Sequence, residues 1–366
     1  MKVALVSPYA LSVFGGVQEQ VLAMSRELAH RGHEVLIVAP DKSDQDHYET
    51  PAEVVRFGKL LSLPANGSKA PLTLSLRAAR RARERVDSFE PDVIHFHEPF
   101  APLVGWGVLR EHAVPSVATF HRSGGGPGVS LTKPLLKYLS RGIDDAVAVS
   151  EAARATMGAA SGLEPEVLFN GFETNRFVEF ERVVPRQVEL LTIGRLEARK
   201  GVRTAIEAVL THNKSAEQKW SLNIIGSGPD ERELRALARS DANISFLGSV
   251  DDGSKRRLLR SSSALLCPAL RGESFGLVLL EAMASELPVV ASDIDGYRQA
   301  SGGHAQLFQP GSATDLVRAV RDALANSTPE SLDLALSHAN NWSIATLMDH
   351  YEAHYRRAID SFARSR

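Results

Sequence analysis

Short apolar runs alternate with segments of helical spacing along the first half of the chain. Residues 3–6 are typical of a strand, and residues 18–30 carry apolar side chains at helical spacing. Further strands are predicted at residues 35–38, 93–96, 117–120 and 146–149. Because most of these runs are apolar at every position, the pattern predicts a parallel sheet that is covered by helices on both faces.

The same pattern starts again after residues 174–188, which carry scattered charge and Pro185 and are typical of a linker. Strands are predicted at residues 190–193, 222–225, 244–247, 264–266 and 288–291. The sequence therefore predicts an α/β protein of two Rossmann-like, doubly wound domains, residues 1–180 and 181–344. Their strand C-termini are expected to face a cleft, where such sheets bind ligands. The tail at 345–366 has helical spacing and is expected to pack back on the first domain.

Composition supports this organisation, since 366 residues are more than one hydrophobic core usually organises. The net charge of -2 gives no overall attraction to nucleic acid, and we expect none as a partner. The only cysteine, Cys267, lies in an apolar run and is interpreted as a buried thiol in a reducing compartment. No apolar run approaches about 18 residues. We therefore expect a cytoplasmic protein that does not cross the membrane, and we expect no obligate protein partner. A basic helix at residues 72–89 favours peripheral binding at the inner face of the plasma membrane.

Two glutamates flank a helix start in the second domain. Glu273 precedes the helix and Glu281 lies within it, while Gly276 falls at its first turn. Free N–H groups and the helix dipole attract phosphate there. The segment predicts a nucleotide-sugar site, in which Glu273 lies beside the sugar and Glu281 accepts hydrogen bonds from the ribose. The alternative is a surface helix with two solvated acids.

Two cations follow the first strand of the second domain. Arg195 and Lys200 stand in the loop after residues 190–193, at the edge where parallel sheets bind ligands. Arginine offers a planar fork and lysine a point charge, and together they can neutralise a diphosphate leaving group. A basic loop without function is the alternative for these residues alone.

The first domain offers a glycine and a histidine at strand ends. Gly16 opens the first helix, where the backbone can approach a ligand closely, and His121 ends the strand at 117–120. Other patterns are discounted. His95 and His97 lack a third metal ligand, Asp293 and Asp295 lack partner acids, and Gly226 begins a motif without the third glycine of a dinucleotide site. No metal and no tightly bound cofactor is expected.

These residues resemble the retaining GT-B transferases of glycosyltransferase family 4, and most closely the bacterial phosphatidylinositol α-mannosyltransferases. The resemblance runs nearly end to end. The matching segments are 8–9, 15–18, 66–68, 95–99, 120–121, 170–171, 194–201 and 273–281. It implies a hexosyltransferase whose donor is a nucleotide sugar, GDP-mannose, bound mainly by the second domain.

The resemblance also implies roles for single residues. Gly16, Arg195 and Lys200 would bind the diphosphate, Glu273 the mannose hydroxyls, and Glu281 the ribose. The implied donor site also takes in Ser274, Phe275, Gly276 and Leu277, and the implied catalytic set is His121, Arg195, Lys200 and Glu273. No carboxylate nucleophile is evident in the first domain, so a front-face mechanism is favoured, with the departing diphosphate helping to deprotonate the acceptor.

The acceptor side departs from the family pattern. The resemblance implies acceptor contacts from Tyr9, Gln18, Asn66 and Ser68, and Arg122, although it departs from the family, is a further acceptor-site candidate because it could restore a cation there. Residues of the family that bind inositol phosphate are replaced at Ala65, Pro71, Thr73, Arg122 and Gly126. Two alternatives therefore stay open: a family 4 transferase with another donor, such as UDP-glucose or UDP-N-acetylglucosamine, and a soluble or different lipid acceptor, or a sugar-nucleotide binder without catalysis.

A basic amphipathic helix is predicted between residues 72 and 89. Its cations are Arg77, Arg80, Arg81, Arg83 and Arg85, interleaved with apolar residues. Such a helix can lie on an anionic lipid surface, and the resemblance implies a membrane-docking helix in this region. The alternative is an ordinary solvated face.

Overall fold

The computed structural model describes residues 1–12, 16–40, 50–57, 61–65, 68–72, 76–101, 108–109, 114–121, 127–273 and 276–364. The contacts between residues divide the chain into two units. The first combines Met1–Phe172 with Ile344–Arg366, and the second is Glu173–Ser343.

Within the described residues, the first unit contains a parallel sheet of seven strands. In chain order they are β1 (Lys2–Val6), β2 (Glu34–Pro40), β3 (Glu53–Phe57), β6 (Val93–His97), β7 (Ser116–Phe120), β8 (Asp145–Ala148) and β9 (Glu166–Val167). Their order in the sheet is β3-β2-β1-β6-β7-β8-β9, with Val3 opposite Val35 on one side and Val93 on the other. The strands β4 (Leu61–Ala65) and β5 (Ser68–Leu72) form a separate antiparallel pair.

Helices cover both faces of this sheet. They are α1 (Gly16–His30), α2 (Leu76–Phe89), α3 (Pro127–Leu139), α4 (Glu151–Ser161) and the C-terminal α12 (Ile344–Arg364). On one face α1 and α12 share a core through side chains such as Met24 and Tyr351. On the other face α2 and α4 bury Val86 and Met157 against Phe96. This double cover explains why most of the residues in these strands are apolar on both faces of the sheet.

The second unit repeats the arrangement with six parallel strands among the described residues. They are β10 (Glu189–Ile193), β11 (Ser221–Ile225), β12 (Ile244–Gly248), β13 (Ala264–Cys267), β14 (Val289–Ser292) and β15 (Gln306–Phe308), in the order β12-β11-β10-β13-β14-β15. The helices are α5 (Val202–Ser215), α6 (Glu231–Ala238), α7 (Asp252–Ser261), α8 (Leu277–Ala284), α9 (Asp295–Ser301), α10 (Ala313–Ala325) and α11 (Pro329–Asn340). Because β10 pairs with both β11 and β13, the loops after β10 and β13 leave the sheet side by side.

These observations confirm the predicted class, two Rossmann-like α/β halves. The strands that the sequence predicts agree with the structure to within two residues at each end. The sequence did not predict β3, β9, β15 or the β4–β5 pair. Residues 173–180, which the sequence assigns to the first domain, contact α7: Arg176 Nη2 lies 2.9 Å from Asp252 Oδ2, and Arg256 donates to the Arg176 carbonyl.

Candidate active site

The loop after β10 packs tightly on the loop after β13. Gly201 has φ 65°, and a Cβ built there would lie 1.8 Å from the carbonyl oxygen of Pro268. The Leu270 N–H donates to the carbonyl of Arg199 at 2.8 Å. Only glycine allows this approach together with the left-handed backbone. The close contact brings the cations that follow one strand to the carboxylate that follows the next.

Glu273 accepts from two cations at this junction. Its Oε1 lies 2.6 Å from Lys200 Nζ and 2.9 Å from Arg199 Nη1, and Arg199 Nε lies 2.7 Å from Glu197. The Glu273 side chain is only 12% exposed, so its carboxylate exchanges much of its hydration for these two partners. The structure thus pairs Lys200 with Glu273, both of which the sequence analysis predicts as site residues. It adds Arg199, which the sequence analysis includes only as part of the segment 194–201.

Arg195 stands apart from this cluster. It is exposed, and its side chain makes no hydrogen bond or ion pair with the residues that the structure describes. The cluster of Glu197, Arg199, Lys200 and Glu273 carries no net charge, so Arg195 supplies the excess positive charge of the loop. A free guanidinium at a strand end suits bidentate binding of phosphate oxygens.

The helix α8 begins without a side-chain cap among the described residues. Gly276 is its N-cap, with φ 86° and ψ 50°, and a Cβ there would lie 2.7 Å from the ring of Tyr297. Leu277 is the first helical residue and no acidic residue lies in the first turn. The Leu279 N–H donates to the Gly276 carbonyl at 2.9 Å, whereas the N–H groups of Leu277 and Val278 have no acceptor among the described residues, an arrangement that suits an anion. Ser274 and Phe275 lie outside the described residues.

Glu281 is an ion-paired carboxylate in the second turn of α8. Its Oε1 lies 3.1 Å from Lys255 Nζ, which itself stands 5.5 Å from the centre of the Phe177 ring. The carboxylate is 14% exposed, which is unlike the solvated acid of the alternative interpretation. The sequence did not predict Lys255, because it lies 26 positions away on another helix and in no motif.

The buried thiol of Cys267 ends the strand β13. Burial raises the pKa of Cys267 well above its usual range, and the nearby carboxylate of Glu273 adds to the effect. The thiol is therefore protonated at neutral pH and is not a nucleophile.

In the first unit, Glu98 and His97 form hydrogen-bond contacts with His121. The backbone N–H of His121 donates to Glu98 Oε1 at 2.5 Å, and His121 Nε2 lies 3.1 Å from His97 Nδ1. Glu98 is 6% exposed and adopts φ 48°, a strained conformation for a residue with a side chain. Burial lowers the pKa of His121 to about 4, so the ring is neutral at pH 7. His121 is thus a neutral donor or acceptor at a strand end.

A third histidine, His95, stacks on His97 and is part of the core. Its Nδ1 lies 2.8 Å from Tyr355 Oη, and its Nε2 lies 2.7 Å from Thr119 Oγ1, which also contacts Tyr351 Oη at 2.8 Å. Burial lowers its pKa to about 3. Among the described residues no group of three or more His, Cys, Asp or Glu side chains is arranged to hold a metal ion.

The other first-unit residues are placed as follows. Gly16 begins α1 and is exposed, and a Cβ built there would meet nothing within 4 Å. Gln18 is 7% exposed, and its Nε2 donates to the carbonyl of Ala10 at 3.3 Å, so it stabilises the segment after β1. The Tyr9 N–H donates to Ser7 Oγ, and Ser68 begins β5. Asn66 and Arg122 lie outside the described residues. Ligand contacts by all of these residues stay predictions.

The arginine-rich helix α2 uses its apolar side internally. Ala82 and Val86 are at most 1% exposed and pack in the core. Arg80 pairs with Glu84 at 2.9 Å, Arg83 with Asp87 at 3.4 Å, and Arg85 with Glu53 at 2.5 Å. Arg77 and Arg81 are exposed and have no ion pair with the described residues. Any attraction of this helix to lipid would therefore act through its cations, without insertion of its apolar side. No helix within the described ranges is long and apolar enough to cross a membrane.

Comparison with known proteins identifies the family. Residues 14–176 match the family model of "Glycosyltransferase Family 4", and residues 187–326 match that of "Glycosyl transferases group 1". The chain belongs to glycosyltransferase family 4. It is therefore a hexosyltransferase, as the motifs predict, and the reading as a binder without catalysis is not supported.

Individual relatives span nearly the whole chain. The phosphatidyl-myo-inositol mannosyltransferase of Mycolicibacterium smegmatis is 34% identical over 96% of this chain and 94% of its own length. That of Propionibacterium freudenreichii is 30% identical over 100% and 97%. A glycosyltransferase structure from Rickettsia africae superimposes with a TM-score of 0.73 at 16% identity, covering 98% of each chain. The two-domain GT-B fold of this enzyme is thereby confirmed.

Proposed function

We propose that this family 4 enzyme transfers mannose from GDP-mannose to a lipid acceptor such as phosphatidylinositol, with retention of configuration, at the cytoplasmic face of the membrane. The proposal is carried by the cluster of Lys200, Arg199 and Glu273 next to the start of α8, which has no side-chain cap among the described residues. That cluster offers cations and helix N–H groups to a diphosphate and a carboxylate to sugar hydroxyls. The lipid acceptor and the mannose are supported by relatives named phosphatidyl-myo-inositol mannosyltransferase.

In the proposed reaction the bond between the sugar C1 and the diphosphate oxygen breaks, and a bond from C1 to the acceptor oxygen forms. The proton of the acceptor hydroxyl passes to the departing phosphate. Arg195 and Lys200 stabilise the negative charge that develops on the diphosphate, the largest contribution we assign. Glu273 accepts hydrogen bonds from the sugar hydroxyls and Glu281 from the ribose.

A covalent intermediate is disfavoured on a specific ground. The carboxylate of Glu98 contacts the residue proposed to lie at the sugar, His121, but it is 6% exposed and accepts the His121 N–H. A nucleophile must be accessible to C1, and this carboxylate is committed to the backbone. This supports transfer on one face of the sugar without a glycosyl-enzyme.

The experiment is a transfer assay with radiolabelled GDP-mannose and vesicles that contain phosphatidylinositol. The expected product is a labelled lipid from which α-mannosidase, and not β-mannosidase, releases the labelled mannose. Lys200→Ala is the inactive control, and vesicles of phosphatidylcholine alone are the acceptor control. Label in neither lipid, with GDP-mannose recovered intact, would overturn the proposed donor and acceptor.

A second candidate keeps the chemistry and changes the substrates. It is favoured by Ala65 and Pro71, which stand in the β4–β5 pair where the resembling family carries other residues, together with Thr73, Arg122 and Gly126 outside the described residues. The same assay with UDP-glucose and UDP-N-acetylglucosamine, with and without vesicles, distinguishes it. Transfer from either donor, or to a soluble acceptor, would favour this candidate.

A further inference from the structure

His97 and His121 make a ring-to-ring contact that couples the tautomers of the two imidazoles. His97 Nδ1 and His121 Nε2 lie 3.1 Å apart, and the two rings stack with centroids 5.3 Å apart and 26° between their planes. His97 is 1% exposed, and its other nitrogen, Nε2, has no hydrogen-bond partner among the described residues. His121 is partly exposed, and its Nδ1 makes no hydrogen bond with those residues. The contact therefore joins a buried nitrogen of His97 to a ring that is partly exposed and has one nitrogen without a partner among those residues.

Both rings are neutral at pH 7. Burial lowers the pKa of His97 well below its usual range, and the neighbouring rings of His95 and His121 lower it further. Burial lowers that of His121 to about 4. A neutral imidazole carries one proton, so one of its nitrogens donates and the other accepts.

Proton counting then leaves two states for the pair. If His97 Nδ1–H donates, His121 Nε2 accepts and the proton of His121 lies on its Nδ1. If His121 Nε2–H donates, His97 Nδ1 accepts and the proton of His97 lies on its buried Nε2. The two tautomers are locked together: both rings carry Nδ1–H or both carry Nε2–H.

The unpartnered Nε2 of His97 decides between these states. The second state would bury an N–H that has no acceptor among the described residues, whereas the first buries only a bare nitrogen lone pair. Buried N–H groups without an acceptor are rarer in proteins than under-used acceptors. The first state also places the proton of His121 on Nδ1, which has no partner among the described residues and could donate to an oxygen atom of a nucleotide sugar.

We propose that His97 is a positioning residue that fixes His121 in the Nδ1–H tautomer, so that neutral His121 offers an N–H donor to an oxygen of the nucleotide sugar. Glu98 completes the arrangement, since its carboxylate fixes the backbone of His121 while its own N–H donates to the Thr119 carbonyl at 2.9 Å. The ligand contact rests on the proposed function, whereas the coupling of the two tautomers does not.

The test measures the tautomer directly on the full-length enzyme without substrate. Long-range ¹H–¹⁵N correlation spectra of ¹⁵N-histidine-labelled protein distinguish Nδ1–H from Nε2–H, and the His121→Gln spectrum assigns the signal. Wild type is expected to show His121 as Nδ1–H. His97→Phe keeps a flat ring but has no nitrogen, so His121 should populate both tautomers. His97→Asn, whose amide can donate from the position of Nδ1, should restore the single form.

A matched control is His354→Gln, which removes another buried histidine of the first unit that pairs with Asp145. It should leave the His121 signal unchanged. In the wild type, His121 as Nε2–H would overturn the proposal, and so would an unchanged tautomer in folded His97→Phe. If His97→Phe does not fold, the wild-type and His97→Asn spectra still decide.

Kinetics provide the second readout. His97→Phe should lower kcat roughly 10- to 100-fold and change the donor KM less than threefold, because a misoriented group loses its contact mainly in the transition state. His97→Asn should recover most of kcat. Should wild type transfer no sugar from any donor, the proposed function fails while the spectra still test the tautomer.

Discussion

Replacing Lys200 by alanine separates a catalytic role of the cluster from a structural one. The Lys200 ammonium lies 2.6 Å from Glu273 Oε1, and the two side chains are 23% and 12% exposed. After the change Glu273 still has Arg199 at 2.9 Å, so the carboxylate is not left buried without a partner. The loss is then that of one partly screened ion pair, about 1 kcal/mol. This corresponds to a fall in Tm of about 2–4 °C for a domain of this size.

The expected effect on turnover is much larger. Removal of one preorganised charge contact to the leaving group costs roughly 100- to 1,000-fold in rate, about 2.7–4 kcal/mol. The assay compares kcat for transfer with Tm for the same preparations. Arg203→Ala is the matched control, because Arg203 is an exposed cation nearby that pairs with Glu207 and Glu233. It should keep near-normal turnover.

The opposite pattern would refute the reasoning. If Lys200→Ala retains near wild-type kcat with intact folding, Lys200 is a structural partner of Glu273 and the donor site lies elsewhere. A fall in Tm above about 10 °C with a proportional loss of folded protein would mean that the lost activity reflects unfolding.

Three further predictions follow from other contacts. Gly201→Ala should destabilise the enzyme by about 1–3 kcal/mol more than Gly248→Ala in thermal melts, because both glycines have φ near 65° but only Gly201 meets a backbone atom, and equal losses would contradict the packing argument. The double variant Arg77→Ser, Arg81→Ser should lose about 2 kcal/mol of attraction to anionic vesicles in co-sedimentation, and its binding should depend no more steeply on salt than that of the wild type. The control Arg239→Ser should keep the attraction of the wild type. Equal binding of the double variant and the wild type would favour a solvated helix. Burial lowers the pKa of His95 to about 3 and that of His121 to about 4, so below pH 6.5 the unfolded chain binds more protons than the folded chain. The Tm should therefore fall as the pH drops from 7.5 to 5. An unchanged Tm would contradict the conclusion that these buried histidines are neutral.

The fold could be predicted because its signal is repeated along the chain. Apolar runs such as residues 3–6 and 35–38 indicate the parallel sheet by their own composition. The strand β15 was not predicted because three residues are too few to show a pattern of apolar positions. Two of them, Gln306 and Leu307, are also only partly buried at the sheet edge. The β4–β5 pair contains Pro64 and Pro71, which weaken any strand pattern.

The site was predictable only where its residues follow strands. Lys200 and Glu273 come directly after neighbouring strands, so the sheet order alone brings them together. Lys255 reaches Glu281 from a different helix, and no periodicity in either segment indicates the pairing. His97 was discounted as a metal ligand, and its contact with His121 depends on the register that places His97 opposite Thr119.

A carboxylate within the cluster that we propose to bind phosphate has a physical rationale in this enzyme. Glu273 holds Lys200 and Arg199 at fixed positions before any donor arrives, so the side-chain entropy of two long cations is already lost. Glu197 balances the second of these charges, which leaves Arg195 and the N-terminus of α8 as the unneutralised positive groups of the loop. A diphosphate that binds them adds charge to a site whose remaining cations need not move. Preorganisation of this kind costs no rearrangement when the sugar–phosphate bond breaks, and that is the condition under which fixed charges stabilise a leaving group most.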